Sequence, residues 1–326
     1  MNPILGVILK LASALLFTVM STLIKWLGEA VPTGEVVFAR SIFALIPIFA
    51  YLSWRLAGER RAAGQGAPSA ADIARSFAAA VHTKRPFGHL WRGLLGGSAM
   101  ALSFSAIRLL PLTDAVTISY AAPLITVLLA PFVLQERVGI YRLSAVFIGF
   151  AGVVMVLSPH LFSGEQQRGD GALLGAMLAL GSAFCVSFAM LQVRKLTQTE
   201  STMSITFYFA MTCTMFGLST APFGWVMPPP VIAVTLVLVG ILGGTAQILL
   251  TESYRHAPAS LIAPFDYTSM LWALLLGFVV FGDVPQAIVF AGAAIIVASG
   301  LFVLYRERKL GLERARQRKA GGVPLS

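Results

Sequence analysis

Hydrophobic residues run along this chain in blocks of about twenty, separated by short polar or turn-forming stretches. A helix needs about 20 predominantly apolar residues to cross a bilayer core. Ten blocks reach or approach that length, at roughly 4–26, 35–54, 89–109, 113–134, 141–158, 171–193, 202–220, 231–251, 259–281 and 286–305. They predict ten spans. Several connections carry turn residues, as in Val31-Pro32-Thr33-Gly34, Pro228-Pro229-Pro230 and Gly282-Asp283-Val284-Pro285. One intervening segment is long, at about 55–88; it is rich in Ala, Gly and Arg and predicts a mobile loop or a surface helix.

The blocks fall into two sets. Gly93-Leu94-Leu95-Gly96-Gly97-Ser98-Ala99 returns as Gly240-Ile241-Leu242-Gly243-Gly244-Thr245-Ala246, an offset of 147. The same offset carries Leu102 onto Leu249, Arg108 onto Arg255, Pro111 onto Pro258, Tyr120 onto Tyr267 and Glu136 onto Asp283. Earlier in the chain the offset becomes 169, so that Ser13, Ala14 and Lys25 match Ser182, Ala183 and Arg194. The long segment after span 2 accounts for most of the change. Span 1 also has the small residues of a cleaved signal peptide. Its counterpart in span 6 predicts that it is retained.

Composition fits lipid as the solvent. The 326 residues are 57% hydrophobic and 12% charged, with a mean hydropathy of +0.82, against about 25% charged residues in soluble domains. The net charge of +10 does not predict a nucleic-acid partner, because the basic residues lie in connections between apolar runs. Nineteen of the 24 Lys and Arg residues, Arg92 among them, fall on one side if both termini are cytoplasmic; Lys25, Arg108 and Arg168 fall on the other. By the positive-inside rule, both termini, the 55–88 segment and a basic tail at 306–326 are cytoplasmic. Five spans per repeat is an odd number, so the halves insert with opposite orientation. The fold class is therefore an all-α integral membrane protein, with a first five-helix repeat at 1–158 and a second at 171–305. Cys185 and Cys213 sit within apolar runs without metal-ligand spacing, and no metal or cofactor is predicted.

Ten spans in a five-plus-five arrangement resemble the EamA-type drug/metabolite transporter superfamily. Further resemblance lies in Gly93–Ala99, Leu109–Ala115, Tyr120-Ala121-Ala122-Pro123-Leu124, Gln135-Glu136-Arg137 and Ala263-Pro264-Phe265-Asp266-Tyr267. Leu9–Ser13 and His89–Gly93 look most similar to the bacterial riboflavin and S-adenosylmethionine uptake branches. The resemblance implies a secondary transporter of the bacterial inner membrane. Spans 1–4 and 6–9 would surround the substrate path, and spans 5 and 10 would lie outside it and support a homodimer.

The residues themselves narrow the site. Asp266 lies about seven residues into span 9, or about 10 Å deep, where a lipid-facing carboxylate would be costly. It predicts proton coupling, recognition of a substrate donor, or a structural hydrogen bond. Its repeat mate is Ser119. Lys10, in span 1, either snorkels to the cytoplasmic surface or lines the cavity, where an acidic group would pair with it. Arg40 shares span 2 with Glu35 and has the apolar mate Phe209; it predicts an outer gate or substrate entrance, or an interfacial ion pair. Gln247 either orients a ligand or binds a helix carbonyl. Tyr120 and Tyr267 either flank a flat ring or pack without touching substrate. Gly93, Gly96 and Gly97, with Gly240, Gly243 and Gly244, predict close helix packing ahead of substrate contact. The mixture of aromatic and polar groups gives riboflavin uptake as the specific expectation, with S-adenosylmethionine uptake and amino-acid or metabolite export as alternatives. An intramembrane enzyme is disfavoured for want of an HExxH, paired-Asp or nucleophile–base pattern. A sensor or scaffold is the other non-transport alternative.

Overall fold

The computed structural model describes residues 3–62, 64, 69–134, 140–162, 171–196, 199–256 and 263–320. Gln135-Glu136-Arg137, Arg168 and Pro258 lie outside the described residues. Helices α1 (Pro3–Leu27), α2 (Thr33–Phe43), α3 (Leu45–Ala62), α4 (Ala70–Val81), α5 (Pro86–Leu109), α6 (Leu112–Ser119), α7 (Ala121–Leu134) and α8 (Ile140–Phe162) come from the first half. Helices α9 (Ala172–Leu196), α10 (Thr202–Leu218), α11 (Pro230–His256), α12 (Thr268–Leu276) and α13 (Ala287–Ala320) come from the second. Among the described residues there is no β-strand. Among the described residues, four stretches are long and apolar enough to cross a membrane: Ile4–Leu27, Thr33–Ala62, Ala172–Val193 and Pro230–Ser253. Large apolar side chains such as Phe132, Phe147, Phe278 and Leu271 face outward, the inverse of a soluble surface. This is a multi-pass membrane protein.

Three predicted spans are interrupted, and two interruptions follow from proline. Pro47 has no N–H to offer the Phe43 carbonyl, and span 2 breaks at Ala44 between α2 and α3. Pro123 leaves the Ser119 carbonyl without its helical donor, and span 4 breaks at Tyr120. Span 9 begins as a 3₁₀ turn over Ala263–Tyr267, continues as α12, and ends in a π-helical turn over Gly277–Phe281. Gly282, at φ 71°, stops it in the left-handed region.

The segment at 55–88 takes its surface-helix form. Ser69 and Asp72 build a capping box at the start of α4. Phe77 packs on Phe49 of α3 and Phe207 of α10, with centroids 4.7 and 5.0 Å away. These contacts dock the helix across the ends of two spans.

Packing follows the sequence repeat. Helix α1 packs on α11, and α5 packs on α9; α2 lies on α10, α6 on α12 and α8 on α13. The last three pairs join corresponding helices, and the first two are the same contact, between spans 1 and 8 and between spans 6 and 3, made once from each half. One contact is made twice: Ser13 donates to the Ala246 carbonyl, and Ser182 to the Ala99 carbonyl, both at 2.8 Å and both buried. These residues correspond under the two offsets, 169 for the serines and 147 for the alanines.

The Gly-rich phrases face neighbouring helices. A methyl on Gly93 would sit 2.4 Å from Thr212 Cβ, and one on Gly96 2.4 Å from both Phe209 and Arg92. On Gly97 it would crowd Phe216 at 3.2 Å. In the second phrase, methyls on Gly240, Gly243 and Gly244 would meet Phe43 at 2.3 Å, Met20 at 2.8 Å and Pro47 at 2.6 Å. The first phrase therefore accommodates α10, and the second accommodates α1, α2 and α3.

Candidate functional site

The interruption in span 9 presents Asp266. Its carboxylate lies 2.5 Å from Lys10 Nζ of α1. The pair is unequal: the Lys10 side chain is 3% exposed and that of Asp266 54%. Lys10 therefore points into the protein and does not snorkel. Its ammonium is held from the buried side, while the carboxylate keeps an open face for another cation. Ser119, the repeat mate, is also exposed, but its hydroxyl donates 2.6 Å back to the Val116 carbonyl. The same place in the first half is uncharged.

The tyrosines meet each other. Their centroids are 5.1 Å apart and their planes 69° apart, an edge-to-face contact. No flat molecule fits between rings in that arrangement. Tyr120 is buried and its hydroxyl lies 2.7 Å from Ser269 Oγ. Tyr267 reaches α13, where a methyl on Gly300 would overlap its hydroxyl. The pair braces span 4 against span 9 and span 10. Gln247 is half-buried on α11, one residue beyond the alanine that accepts from Ser13.

Arg40 lies neither at an interface nor against Glu35. It is 4% exposed, and Glu35 instead accepts from the Val226 backbone N–H at 3.2 Å. The Arg40 guanidinium carbon stands 5.8 Å from the Phe209 ring centroid, so the repeat mates touch where α2 and α10 cross. Arg92 of α5 stands over the same ring at 4.1 Å. Sequence reasoning counted Arg92 as a cytoplasmic loop charge. Its available signal was position: it sits one helical turn before Gly96, whose missing side chain leaves room for the guanidinium to turn inward.

The two ends of the bundle differ. At the end of α1, Lys25 Nζ bonds Asp283 at 2.8 Å and the Leu110 carbonyl at 3.0 Å. It also lies 4.7 Å from the Phe281 ring centre. One ammonium ties span 1 to the 3–4 and 9–10 connections. Near the opposite end, a cleft of about 520 Å³ opens among α3, α4, α10 and α11. Tyr51, Arg55, Glu59, Glu200 and Glu252 line it. Tyr51 donates to Glu252 across it at 2.7 Å. None of Lys10, Arg40, Ser119, Tyr120, Gln247, Asp266 and Tyr267 lines this cleft, although Ile248 beside Gln247 does. Among the described residues, no three His, Cys, Asp or Glu side chains gather as metal ligands.

The EamA-like transporter family matches residues 4–158 and 173–305. The S-adenosylmethionine uptake transporter of Rickettsia prowazekii is 28% identical over 311 residues, covering 95% of this chain and 94% of that protein. The pseudopaline exporter CntI of Pseudomonas aeruginosa is 27% identical over 297 residues, covering 90% and 94%. A crystal structure at 20% identity matches the fold with a TM-score of 0.57, covering 94% of this chain and 98% of that one. The expectation of riboflavin finds no support in these relatives or in a tyrosine pair closed edge to face.

Proposed function

Because the chain belongs to the EamA-like transporter family, we propose that it is a secondary transporter for S-adenosylmethionine or a closely similar cationic amino-acid derivative, working by alternating access. The observation that carries this reading is Asp266. A carboxylate at membrane depth with one face held by Lys10 and the other open suits a substrate bearing sulfonium or ammonium charge. The Rickettsia relative is named for that substrate. Export is the second reading, favoured by the relative named as a pseudopaline exporter.

The substrate cation would share or take over the Asp266 oxygens from Lys10. An ion pair that must open for substrate and re-form afterwards links occupancy to the angle between α1 and span 9. The paired Ser13–Ala246 and Ser182–Ala99 bonds support ten spans in two inverted repeats, about which the halves would rock. The Lys25 junction supports a closed outer side, and the cleft near Tyr51 an opening to the cytoplasm. Moving Arg92 into the bundle lowers the cytoplasmic charge count by one and leaves the orientation unchanged. Both termini would then be cytoplasmic, in an inner membrane.

The test is uptake of labelled S-adenosylmethionine by proteoliposomes containing the purified chain. Saturable uptake, competed by unlabelled S-adenosylmethionine and not by riboflavin, is expected. Uptake no faster than in protein-free vesicles, in both inward and outward gradients, refutes the reading.

A further inference from the structure

Among the described residues, no acidic side chain pairs with the arginines around Phe209. Arg40 comes from α2 and Arg92 from α5, and their guanidiniums share one ring on α10. Arg40 Nε, Arg92 Nε and Arg92 Nη1 are buried without a hydrogen-bond partner among the described residues. Glu35, the acid nearest in sequence to Arg40, is engaged by Val226. Cys213, on the same helix as Phe209, donates its thiol to the Gly93 carbonyl at 3.6 Å, so it does not supply a negative charge. Glycines make the space: Gly243 lies against Arg40 and Gly96 against Arg92, each in a position where a methyl would collide.

Two buried like charges with unmet donors are strongly unfavourable unless an anion joins them. Cation–π attraction to Phe209 offsets only part of that cost. Guanidinium forks match the geometry of a carboxylate. We propose that Arg40 and Arg92 form a carboxylate-binding subsite where α2, α5, α10 and α11 meet, and that it receives the carboxylate of the transported molecule. The subsite deepens the reading above, adding an anion-binding element to the cation-binding Asp266. A substrate with both charges would engage helices of both halves at once. Both arginines come from the first half and the ring between them from the second, so filling the subsite would draw the crossing of α2 and α10 together.

The test compares ligands that differ only in the carboxylate. Binding of S-adenosylmethionine and of its decarboxylated counterpart to the purified full-length protein in detergent is followed by thermal-shift titration. The wild type is expected to bind the carboxylate form roughly tenfold or more tightly, the value of about one charged hydrogen bond. Arg40→Gln and Arg92→Gln should each shrink that preference severalfold while changing affinity for the decarboxylated compound by less than about twofold. Equal affinity of the wild type for the two compounds, or an undiminished preference in both variants, overturns the proposal. Should a Gln variant not fold, Arg40→Lys and Arg92→Lys keep the charge but lose the fork, and an undiminished preference in both again overturns it. If neither adenosyl compound binds, the S-adenosylmethionine reading fails. Free amino acids against their carboxamides then decide the arginine proposal: a preference lost in the Arg variants sustains it, and no preference or no binding overturns it.

Discussion

Ser13 and Ser182 occupy matching places in the two halves and make the same buried bond, each to the carbonyl that ends a Gly-rich phrase on a partner helix. Arg40 and Phe209 also occupy matching places, yet one is a buried cation and the other the ring beneath it. Asp266 and Ser119 differ in the same way: one holds Lys10, the other only its own helix. Small, uncharged residues that set how closely helices approach are kept in both copies. Some charges near the helix ends recur, as in Lys25 and Arg194 or Arg108 and Arg255, but Lys10, Arg40, Arg92 and Asp266 occur in one copy only. A duplicated frame requires equal geometry from its halves, while an asymmetric ligand requires unequal chemistry from the site between them. Under the proposed function, matched positions form the scaffold and mismatched polar positions such as Arg40 and Asp266 form the site.

Perturbing the frame should have the largest effect. Gly243→Leu or Gly96→Leu drives a side chain into the α2 or α10 contact, and overpacking of this kind costs about 1–3 kcal/mol or more. Loss of monodisperse protein on size-exclusion chromatography is the expected result for both. If one half tolerates Leu and the other does not, the halves do not contribute equally to the frame. A smaller effect comes from the serines. Ser13→Ala and Ser182→Ala should each lower stability by about 1 kcal/mol, with closely similar shifts in thermal unfolding and additive effects in the double variant. Widely different shifts would break the equivalence.

The smallest effect lies outside the frame. The Ser69 hydroxyl and backbone N–H hold the Asp72 carboxyl below the usual carboxylate range. Its folded pKa is thus below its unfolded one. The cap's contribution is complete above the unfolded value of about 3.9 and is lost as pH falls through the folded value. Hydrogen exchange in α4 should therefore accelerate, relative to the intrinsic rate, only below about pH 4. Asp72→Asn should remove that step without changing exchange in α1 or α11. A step that persists in the variant would assign it to another group.

Much of the frame could be read from the chain. The apolar blocks located the helices, and the offsets of 147 and 169 paired the residues whose two matching bonds the structure shows. The breaks at Ala44 and Tyr120 were less legible. Pro47 and Pro123 mark them, but within a membrane a proline bends some helices and interrupts others, and packing decides which. Of the site, Asp266 stood out because a carboxylate at that depth has few alternatives. Lys10 was ambiguous because a long cationic side chain one or two turns into a span reaches either water or the interior. Arg92 was missed for the same reason: its Cα lies near the cytoplasmic end, and only the space beside Gly96 reveals that its head group turns inward. The tyrosines stayed open between flanking a flat ring and packing on each other. Correspondence in sequence located both correctly but carried no information about the gap between their rings.

The central claim is that transport chemistry resides at the mismatched positions. It is tested most directly by measuring initial rates of labelled S-adenosylmethionine uptake in proteoliposomes for wild type, Asp266→Asn and Ser119→Ala, at equal reconstituted protein. The account predicts that Asp266→Asn lowers the rate by about tenfold or more, as loss of one charged contact implies, while Ser119→Ala stays within about twofold. Equal losses in the two variants, or an Asp266→Asn rate matching wild type, would contradict it.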